Sequence, residues 1–251
     1  MIKHARLLRR LPALLLTAAL CLVPAFAAET DSSFLDVPMD AWYAQSVYYV
    51  QAQGLMSGTG SGTFSPNHPM TRGMLVTVLY RVAGSPALSD SALDAQFSDV
   101  PQDTWYANGI YWARSEGIAS GYSEEEFGPN DSVTREQLVT MLWRYSGSPE
   151  AESASAFSDE DAISLWADTA VSWASSNGLV SGIEGNLFAP AGLATRAQAA
   201  VILTNYDQQT AEQPEPDPDP EPEQPDNPSS PLLPNTYDSD AFVVENGFLT
   251  Y

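Results

Sequence analysis

The fold of this chain is decided by residues 134–149, TREQLVTMLWRYSGSP. The opening threonine can accept hydrogen bonds from the free N–H groups of a first helical turn. Gln137 completes the Thr-x-x-Gln form of a capping box. Gly-Ser-Pro at the end is a stop signal for a helix. The stretch therefore predicts one amphipathic helix with two defined ends, and its apolar stripe comprises Leu138, Met141 and Leu142.

The same landmarks occur three times in a fixed register, and such repetition is the main signal in the chain. Thr-Arg pairs stand 63 and 61 residues apart, with a Phe seven residues before each Thr and a Gly 17 residues before it. Each of those glycines follows a Trp by 12 residues. The pairs are Thr71-Arg72, Thr134-Arg135 and Thr195-Arg196; the tryptophans are Trp42, Trp105 and Trp166; the glycines are Gly54, Gly117 and Gly178. The register predicts three repeats, at 34–84, 97–147 and 157–206.

Each repeat reads as helix, loop, helix, because apolar residues in both halves recur at helical spacing. One pair of helices cannot bury its apolar face well, whereas three packed pairs can. We therefore expect an all-α fold of three helix-loop-helix repeats in one pseudo-threefold unit, with hinges at 85–96 and 148–156. The first helices carry Tyr43, Val47, Val50; Tyr106, Ile110, Ala113; and Ala167, Val171, Ala174. The flanking second helices carry Leu75, Val78, Leu79 and Ala199, Ile202, Leu203.

The three copies differ in detail. Gly73 and Met74 interrupt the capping box of repeat 1, so its second helix should start less rigidly. Repeat 3 has one extra residue before Trp166 and lacks the Gly-Ser-Pro ending. The repeated phenylalanines are expected in the core, while the repeated tryptophans could pack and also stack on sugar rings. The phenylalanines are Phe34, Phe64, Phe97, Phe127, Phe157 and Phe188.

The N-terminus predicts a secretory signal peptide at 1–27. Basic residues come first, an apolar run follows over 11–23, and Ala25-Phe26-Ala27 has the small-x-small form of a cleavage site. A membrane anchor is the alternative, but the run contains Pro12 and is short for a span of about 20 residues. Cys21 could indicate a lipoprotein, although the bulky residue before it argues against that modification.

Charge excludes several function classes. Without the signal peptide, the chain has six arginines, no lysine and 32 acidic residues, which gives a net charge of −26. Such a chain repels nucleic acid and anionic lipid, so neither nucleic-acid binding nor membrane insertion after cleavage is expected. The one cysteine lies in the signal peptide and His68 is the one histidine after it. This composition disfavours a His/Cys zinc site and a serine triad. We expect no enzyme activity, no metal and no cofactor.

The C-terminal part has a different composition. Residues 212–225 alternate proline with acid, so 207–234 is predicted to be an extended, disordered linker, with metal binding there a weak alternative. Residues 235–251 form a short tail. Leu233-Pro234-Asn235-Thr236 resembles a sortase signal, but Tyr237 replaces its glycine. The last residues resemble the lead-in to lysozyme-like muramidase domains.

The frame Phe-x-Asp-Val, Trp-Tyr, Gly-Ile, Gly-Tyr, Phe-x-Pro-Asn, Thr-Arg-Glu-Gln and Leu-x-Arg resembles the S-layer homology domain, most closely in repeat 2. The resemblance covers about 34–206 and is in the style of clostridial surface proteins. It implies non-covalent binding of secondary cell-wall polysaccharide, often pyruvylated, in grooves between repeats. It also implies a secreted protein at the cell wall or S-layer, with peptidoglycan-associated surface proteins as a second class of partner. The implied carbohydrate-binding residues are Arg72, Arg135, Arg196, Trp42, Trp105, Trp166, Asp36, Asp99, Asp159, Gly58, Gly121 and Gly182.

The repeated arginine suits an anionic sugar on chemical grounds. It stands one residue past a helix cap, where free N–H groups favour anions, and its planar fork fits a carboxylate. The alternative is a structural salt bridge to the repeated aspartates. Arg81, Arg114 and Arg144 are interpreted as structural. Two other functions remain open: the anchor part of a wall glycoside hydrolase whose catalytic domain is missing, and a structural S-layer protein.

Overall fold

Six α-helices are defined in the part of the chain that the computed structural model describes, which comprises residues 34–89, 92, 97–212, 244–245 and 248–249. The chain divides into two units, Met1–Asp207 and Gln208–Tyr251. The helices are α1 (Ala44–Ala52), α2 (Arg72–Val82), α3 (Ala107–Ser115), α4 (Arg135–Tyr145), α5 (Asp168–Ser176) and α6 (Arg196–Glu212). Short 3₁₀ turns occupy Glu160–Ala162 and Glu184–Asn186.

The second helix of each repeat begins as its sequence predicts. In α4 the Thr134 hydroxyl accepts the Gln137 N–H at 3.3 Å, and the Gln137 side chain accepts the Thr134 N–H at 3.0 Å. The same reciprocal pair joins Thr195 and Gln198 at the start of α6. At the start of α2, the Met74 N–H donates to the Thr71 hydroxyl at 3.2 Å. The capping boxes of repeats 2 and 3 are confirmed.

The first helix of each repeat starts two residues after the repeated tryptophan and ends two residues before the repeated glycine. Gly54, Gly117 and Gly178 have φ values of 69°, 69° and 64°. This left-handed conformation carries no steric penalty for glycine and terminates a helix. The predicted stop position is therefore confirmed in all three copies.

The predicted apolar stripes form the core. Each member of the second-helix stripes is buried, and among the predicted first-helix stripe residues only Tyr43 and Tyr106 are partly exposed. The six repeated phenylalanines are buried in pairs, with ring centroids 5.3–5.4 Å apart within each repeat. Their expected core role is confirmed.

A closed ring of backbone hydrogen bonds joins the repeats just before their second helices. Met70 N–H donates to Ala194 at 2.8 Å, Ala194 N–H donates to Val133 at 3.0 Å, and Val133 N–H donates to Met70 at 2.9 Å. Each repeat therefore donates to one neighbour and accepts from the other, which produces the expected pseudo-threefold arrangement.

Helices pack between repeats. Helix α2 packs on α3, and α4 packs on α5, so the second helix of one repeat lies against the first helix of the next. The Tyr49 hydroxyl on α1 donates to the Asp207 carboxylate on α6 at 2.7 Å and links the first and last helices. Every groove between repeats is thereby built from more than one copy of the unit.

Some expectations lie partly or wholly outside the described residues. The predicted signal peptide at 1–27 lies wholly outside them. The hinge at 85–96, the linker at 207–234 and the tail at 235–251 lie partly outside them. Helix α6 continues to Glu212, past the expected repeat end, since no Gly-Ser-Pro stops it. Two short antiparallel strands, β1 (Val244–Glu245) and β2 (Phe248–Leu249), lie in the tail, whereas the repeats are helical. No helix within the described ranges is long and apolar enough to cross a membrane.

Candidate functional site

The repeated arginines lie at the first positions of α2, α4 and α6, where each second helix meets the following repeat. Their backbone N–H groups are not available to a ligand. Arg72 N–H donates to the Asp131 carbonyl at 2.8 Å, and Gly73 N–H donates to the Pro129 carbonyl at 2.9 Å. Equivalent bonds start α4 and α6. The expectation that free helix N–H groups would bind an anion there is therefore wrong, because the next repeat already uses them.

The arginine side chains tie each second helix to the next repeat's loop. They are only 5–6% exposed. Through Nε, Arg72 donates to the Phe127 carbonyl at 3.0 Å, Arg135 to Phe188 at 2.6 Å and Arg196 to Phe64 at 2.8 Å. Each guanidinium also lies 4.4–5.1 Å from the ring of the same phenylalanine. These contacts make the arginines structural whether or not they also bind a ligand.

Burial lowers the pKa of all three arginines, since desolvation disfavours the charged form. Nearby acids act in the opposite direction and raise the pKa, with Asp159 acting on Arg135 and Asp36 on Arg196. Guanidinium groups stay protonated in proteins. Each interface between repeats therefore holds one desolvated positive charge.

The repeated aspartates bind the same phenylalanines from the other side. Asp99 accepts the Phe127 and Gly128 N–H groups at 2.9 and 2.7 Å. Asp36 and Asp159 repeat this arrangement at 2.7–2.8 Å. Across residues 34–212 no ion pair within 4.0 Å joins these aspartates to the repeated arginines. The aspartate and the arginine instead bind the N–H and C=O groups of the same phenylalanine. They are therefore connected through the backbone, and not by the direct salt bridge that the sequence analysis gives as the alternative.

The repeated tryptophans lie on the surface. Trp42, Trp105 and Trp166 are 67%, 61% and 52% exposed. Trp42 and Trp105 each pack one edge against the following tyrosine, with ring centroids 5.3 and 5.1 Å apart. Because most of each indole faces solvent, these residues contribute little to the core and offer an apolar surface to a ligand.

Two of the grooves are defined in detail, and we name them by their arginines. The Arg72 groove, of about 270 Å³, combines Arg72 of repeat 1, loop and helix residues of repeat 2 that include Tyr122 and Arg144, and Trp166 of repeat 3. The Arg135 groove, of about 250 Å³, combines Arg135 of repeat 2, repeat 3 and Trp42 of repeat 1. Each groove therefore brings together an arginine and a tryptophan from different repeats.

The repeated loop glycines permit a close backbone approach. A Cβ on Gly121 would lie 2.4 Å from the Phe97 ring and 2.5 Å from the Ser123 carbonyl. A Cβ on Gly58 or Gly182 would meet its nearest atom at 2.7 Å. The glycines shape the loops that line the grooves, and direct ligand contact by them stays a prediction.

Two other arginines, Arg81 and Arg144, which the sequence predicts to be structural, donate to carbonyl groups of their own repeats. Arg144 donates to the Ile118 carbonyl at 3.3 Å and also lines the Arg72 groove. Arg81 makes the equivalent bond to Leu55 at 3.0 Å. The Leu-x-Arg pattern of the first two repeats is the sequence feature that could indicate a groove position for these arginines.

Glu136 is a positioning residue that the repeat pattern does not reveal. Its buried carboxylate accepts the Ser164 N–H at 3.1 Å and the Ser164 hydroxyl at 3.2 Å. This bond fixes the turn that precedes Trp166. Neither neighbouring repeat has an acid at this position, where Gly73 and Ala197 stand, so no repeated pattern pointed to it.

Comparison with known proteins identifies related sequences. The S-layer homology domain family matches residues 33–73, 96–139 and 156–200, which confirms three tandem copies. An amylopullulanase from Thermoanaerobacterium thermosulfurigenes is 34% identical over 70% of this chain and 10% of its own length. Exoglucanase XynX from Acetivibrio thermocellus is 31% identical over 72% and 17%. A middle cell wall protein from Brevibacillus brevis is 34% identical over 51% and 12%. The chain thus spans less than a fifth of the length of each of these relatives.

Proposed function

The chain belongs to the S-layer homology domain family and is a cell-surface, cell-wall-associated protein, and on that premise we propose that it anchors itself non-covalently by binding secondary cell-wall polysaccharide. The binding sites are the grooves between its repeats. The observation that supports this proposal is that each described groove combines a desolvated guanidinium with an exposed indole from another repeat.

The arginines favour a ligand that carries a carboxylate. A guanidinium is weakly hydrated and offers a planar set of N–H donors that matches carboxylate geometry. Attraction between opposite charges is stronger near desolvated protein surface than in water. A pyruvate ketal on a wall sugar supplies such a carboxylate, and the family resemblance implies that group.

The tryptophans favour a sugar ring. An indole presents a broad apolar face, and the C–H face of a pyranose can lie flat against it. Ligand sites commonly combine aromatic surface with a few placed polar groups. Trp42 and Trp166 lie in the same grooves as Arg135 and Arg72, so one sugar could contact both groups at once.

A second candidate is that the repeats are the anchor of a larger glycoside hydrolase. The relatives named as an amylopullulanase and an exoglucanase favour it, because this chain matches only 10% and 17% of their lengths. An immunoblot of bacterial surface extracts with an antibody against the repeats separates the two possibilities. A band at or slightly below 27.1 kDa supports an anchor alone, and a much larger band supports the enzyme anchor.

Anchoring is tested by co-sedimentation of the purified protein with cell-wall sacculi, before and after the wall polysaccharide is extracted. We expect binding to intact sacculi and its loss after extraction. A variant with Trp42, Trp105 and Trp166 changed to Ala should bind weakly while staying folded, because these side chains are exposed. Leu35→Ala with Met39→Ala, at two other exposed apolar positions, is the matched control. Absence of binding to intact sacculi would overturn the proposal.

A further inference from the structure

The three repeated arginines are not engaged equally. Besides the phenylalanine carbonyl, Arg72 donates through Nη2 to the Ser120 carbonyl at 2.6 Å, and Arg196 donates to Ser57 at 2.6 Å. Among the described residues, the Arg135 side chain donates to the Phe188 carbonyl alone. The outer edge of the Arg135 guanidinium is therefore available to a ligand, whereas that of the other two is partly used by the protein.

The residue beside each arginine also differs. Asp131, Gly192 and His68 hold the same place in the three repeats, and their carbonyl oxygens accept the backbone N–H of Arg72, Arg135 and Arg196 at 2.8, 2.8 and 2.9 Å. The negative charge of Asp131 acts on Arg72 and stabilises its charged form. Gly192 has no side chain, and a Cβ placed there would lie 3.7 Å from Arg135 Cδ. Asp99 and Asp159 act alike on Arg72 and Arg135, so the charge of Asp131 is an additional one at Arg72 that has no counterpart at Arg135.

The walls of the Arg135 groove are more apolar. Val201 stands where repeats 1 and 2 have Thr77 and Thr140, and Asn205 stands where they have Arg81 and Arg144. Apolar walls exclude water, and a carboxylate is held more strongly by a guanidinium in such surroundings than in water. The apolar lining residues are Trp42, Leu179, Val180, Ile183, Val201 and Ile202.

We propose that the grooves are not equivalent and that the Arg135 groove binds the carboxylate-bearing sugar of the ligand. The Arg72 groove, where the guanidinium already donates to the Ser120 carbonyl, binds neutral sugar rings of the same polymer against Trp166. This assignment rests on the proposed function. Arg144 also lines the Arg72 groove, where its side chain donates to the Ile118 carbonyl at 3.3 Å.

The experiment observes the grooves separately through the indole N–H signals of the protein in solution. Trp42 lies in the Arg135 groove and Trp166 in the Arg72 groove. Both signals are assigned with Trp→Phe variants. The probe is a methyl glycoside with a 4,6-pyruvate ketal, and the neutral control is the same glycoside with a 4,6-isopropylidene ketal. We expect the charged probe to shift Trp42 at concentrations at least about tenfold below those that shift Trp166, and the neutral probe to show no such preference.

Two reciprocal variants exchange the local charge. Gly192→Asp should weaken the Trp42 response to the charged probe by about tenfold, whereas Gly192→Asn, of similar size, should weaken it less. In Asp131→Gly, the Trp166 indole signal should shift at a lower concentration of the charged probe than it does in the unmodified protein. A Trp166 response that precedes Trp42, or a Trp42 response unchanged by Gly192→Asp, would overturn the assignment. Binding to intact sacculi is measured alongside, so that loss of anchoring itself is distinguished from an error in the groove assignment.

Discussion

Arg72 and Asp99 bind the same residue from opposite sides: Arg72 donates to the carbonyl oxygen of Phe127, and Asp99 accepts its N–H. The arginine comes from repeat 1 and the aspartate from repeat 2. The arrangement recurs at Phe188 and Phe64. The repeated arginines and aspartates, which the family resemblance implies are ligand-binding residues, therefore also hold the three repeats together.

Substitution of a repeated arginine should destabilise the fold as well as weaken binding. Arg196→Ala removes two charge-assisted bonds, to Phe64 and Ser57, and leaves the buried Phe64 carbonyl without its donor. We expect a loss of about 2–3 kcal/mol in the free energy of unfolding, measured by urea denaturation. Glu124→Gln, which breaks the exposed Arg114–Glu124 pair at 3.1 Å, is the control and should cost at most about 1 kcal/mol. Equal effects of the two changes would contradict this structural role.

The repeated aspartates should be equally intolerant of a neutral amide. Asp99 accepts two N–H groups, from Phe127 and Gly128. In Asp99→Asn the amide NH₂ group would face one of those donors, so a buried N–H would lose its acceptor. We expect a destabilisation of about 2 kcal/mol in thermal unfolding. Asp103→Asn, at an exposed position, should leave stability nearly unchanged. A small effect at Asp99 would show that the loop does not depend on the charge.

Much of the helical architecture could be predicted from sequence because its causes are local. Thr134 and Gln137 are three residues apart, and the stripe that includes Leu138 and Leu142 lies within one helix, so both leave patterns that can be read along the chain. The ring through Met70, Val133 and Ala194 leaves none, since its bonds join residues more than 60 positions apart. The bond from Arg72 N–H to the Asp131 carbonyl also leaves no pattern along the chain. It occupies a backbone N–H group at the helix start that the sequence predicts to be free.

Candidate site residues were identified by repetition, and this has a physical limit. Repetition finds what all three copies share, such as the arginines and tryptophans. It cannot find what one copy does alone. The Glu136 contact with Ser164 and the replacement of Asp131 by Gly192 occur once each, and only the packing of one repeat against another gives them meaning.

Two glycines of repeat 2 should respond differently to alanine. In Gly121→Ala the new Cβ would lie 2.4–2.6 Å from Phe97 and two carbonyl oxygens, so the loop must move. In Gly117→Ala the space is open and the cost comes from φ alone, at 69°. We expect about 1 kcal/mol for Gly117→Ala and at least about twice that for Gly121→Ala, from paired urea denaturation curves. The reverse order would show that the glycine loops are not tightly packed.

Stability should fall as pH rises above about 10. Burial raises the pKa of Tyr111, Tyr122 and Tyr145, and the hydrogen bond to Asp207 raises that of Tyr49. Unfolded tyrosines titrate near 10, so above that pH the folded state holds more protons than the unfolded state. Stability then declines with pH, since guanidinium groups do not titrate there. Thermal unfolding at pH 8–11 measures the slope, and Tyr49→Phe with Tyr145→Phe should flatten it. A slope that the double variant leaves unchanged would contradict this origin.

Binding of an anionic wall polysaccharide should strengthen, not weaken, when salt is added. Residues 34–207 contain six arginines and 20 acidic residues, a net charge of −14. Three of those arginines are buried in the interfaces between repeats, so most of the exposed charge is negative. Long-range repulsion therefore opposes binding, while the guanidinium that attracts the carboxylate acts at contact. Salt screens the distant repulsion more than the contact, with a screening length of about 10 Å at 0.1 M.

We expect the affinity for extracted polysaccharide to rise about threefold or more between 10 and 300 mM NaCl, as measured by isothermal titration calorimetry. KCl should act like NaCl, because screening depends on ionic strength, and sucrose at the same osmolality should have little effect. A basic protein on a polyanion shows the opposite sign, since it releases counterions as it binds. A steady fall in affinity with salt would place the attraction at long range and would contradict the view that contact within the grooves provides the binding.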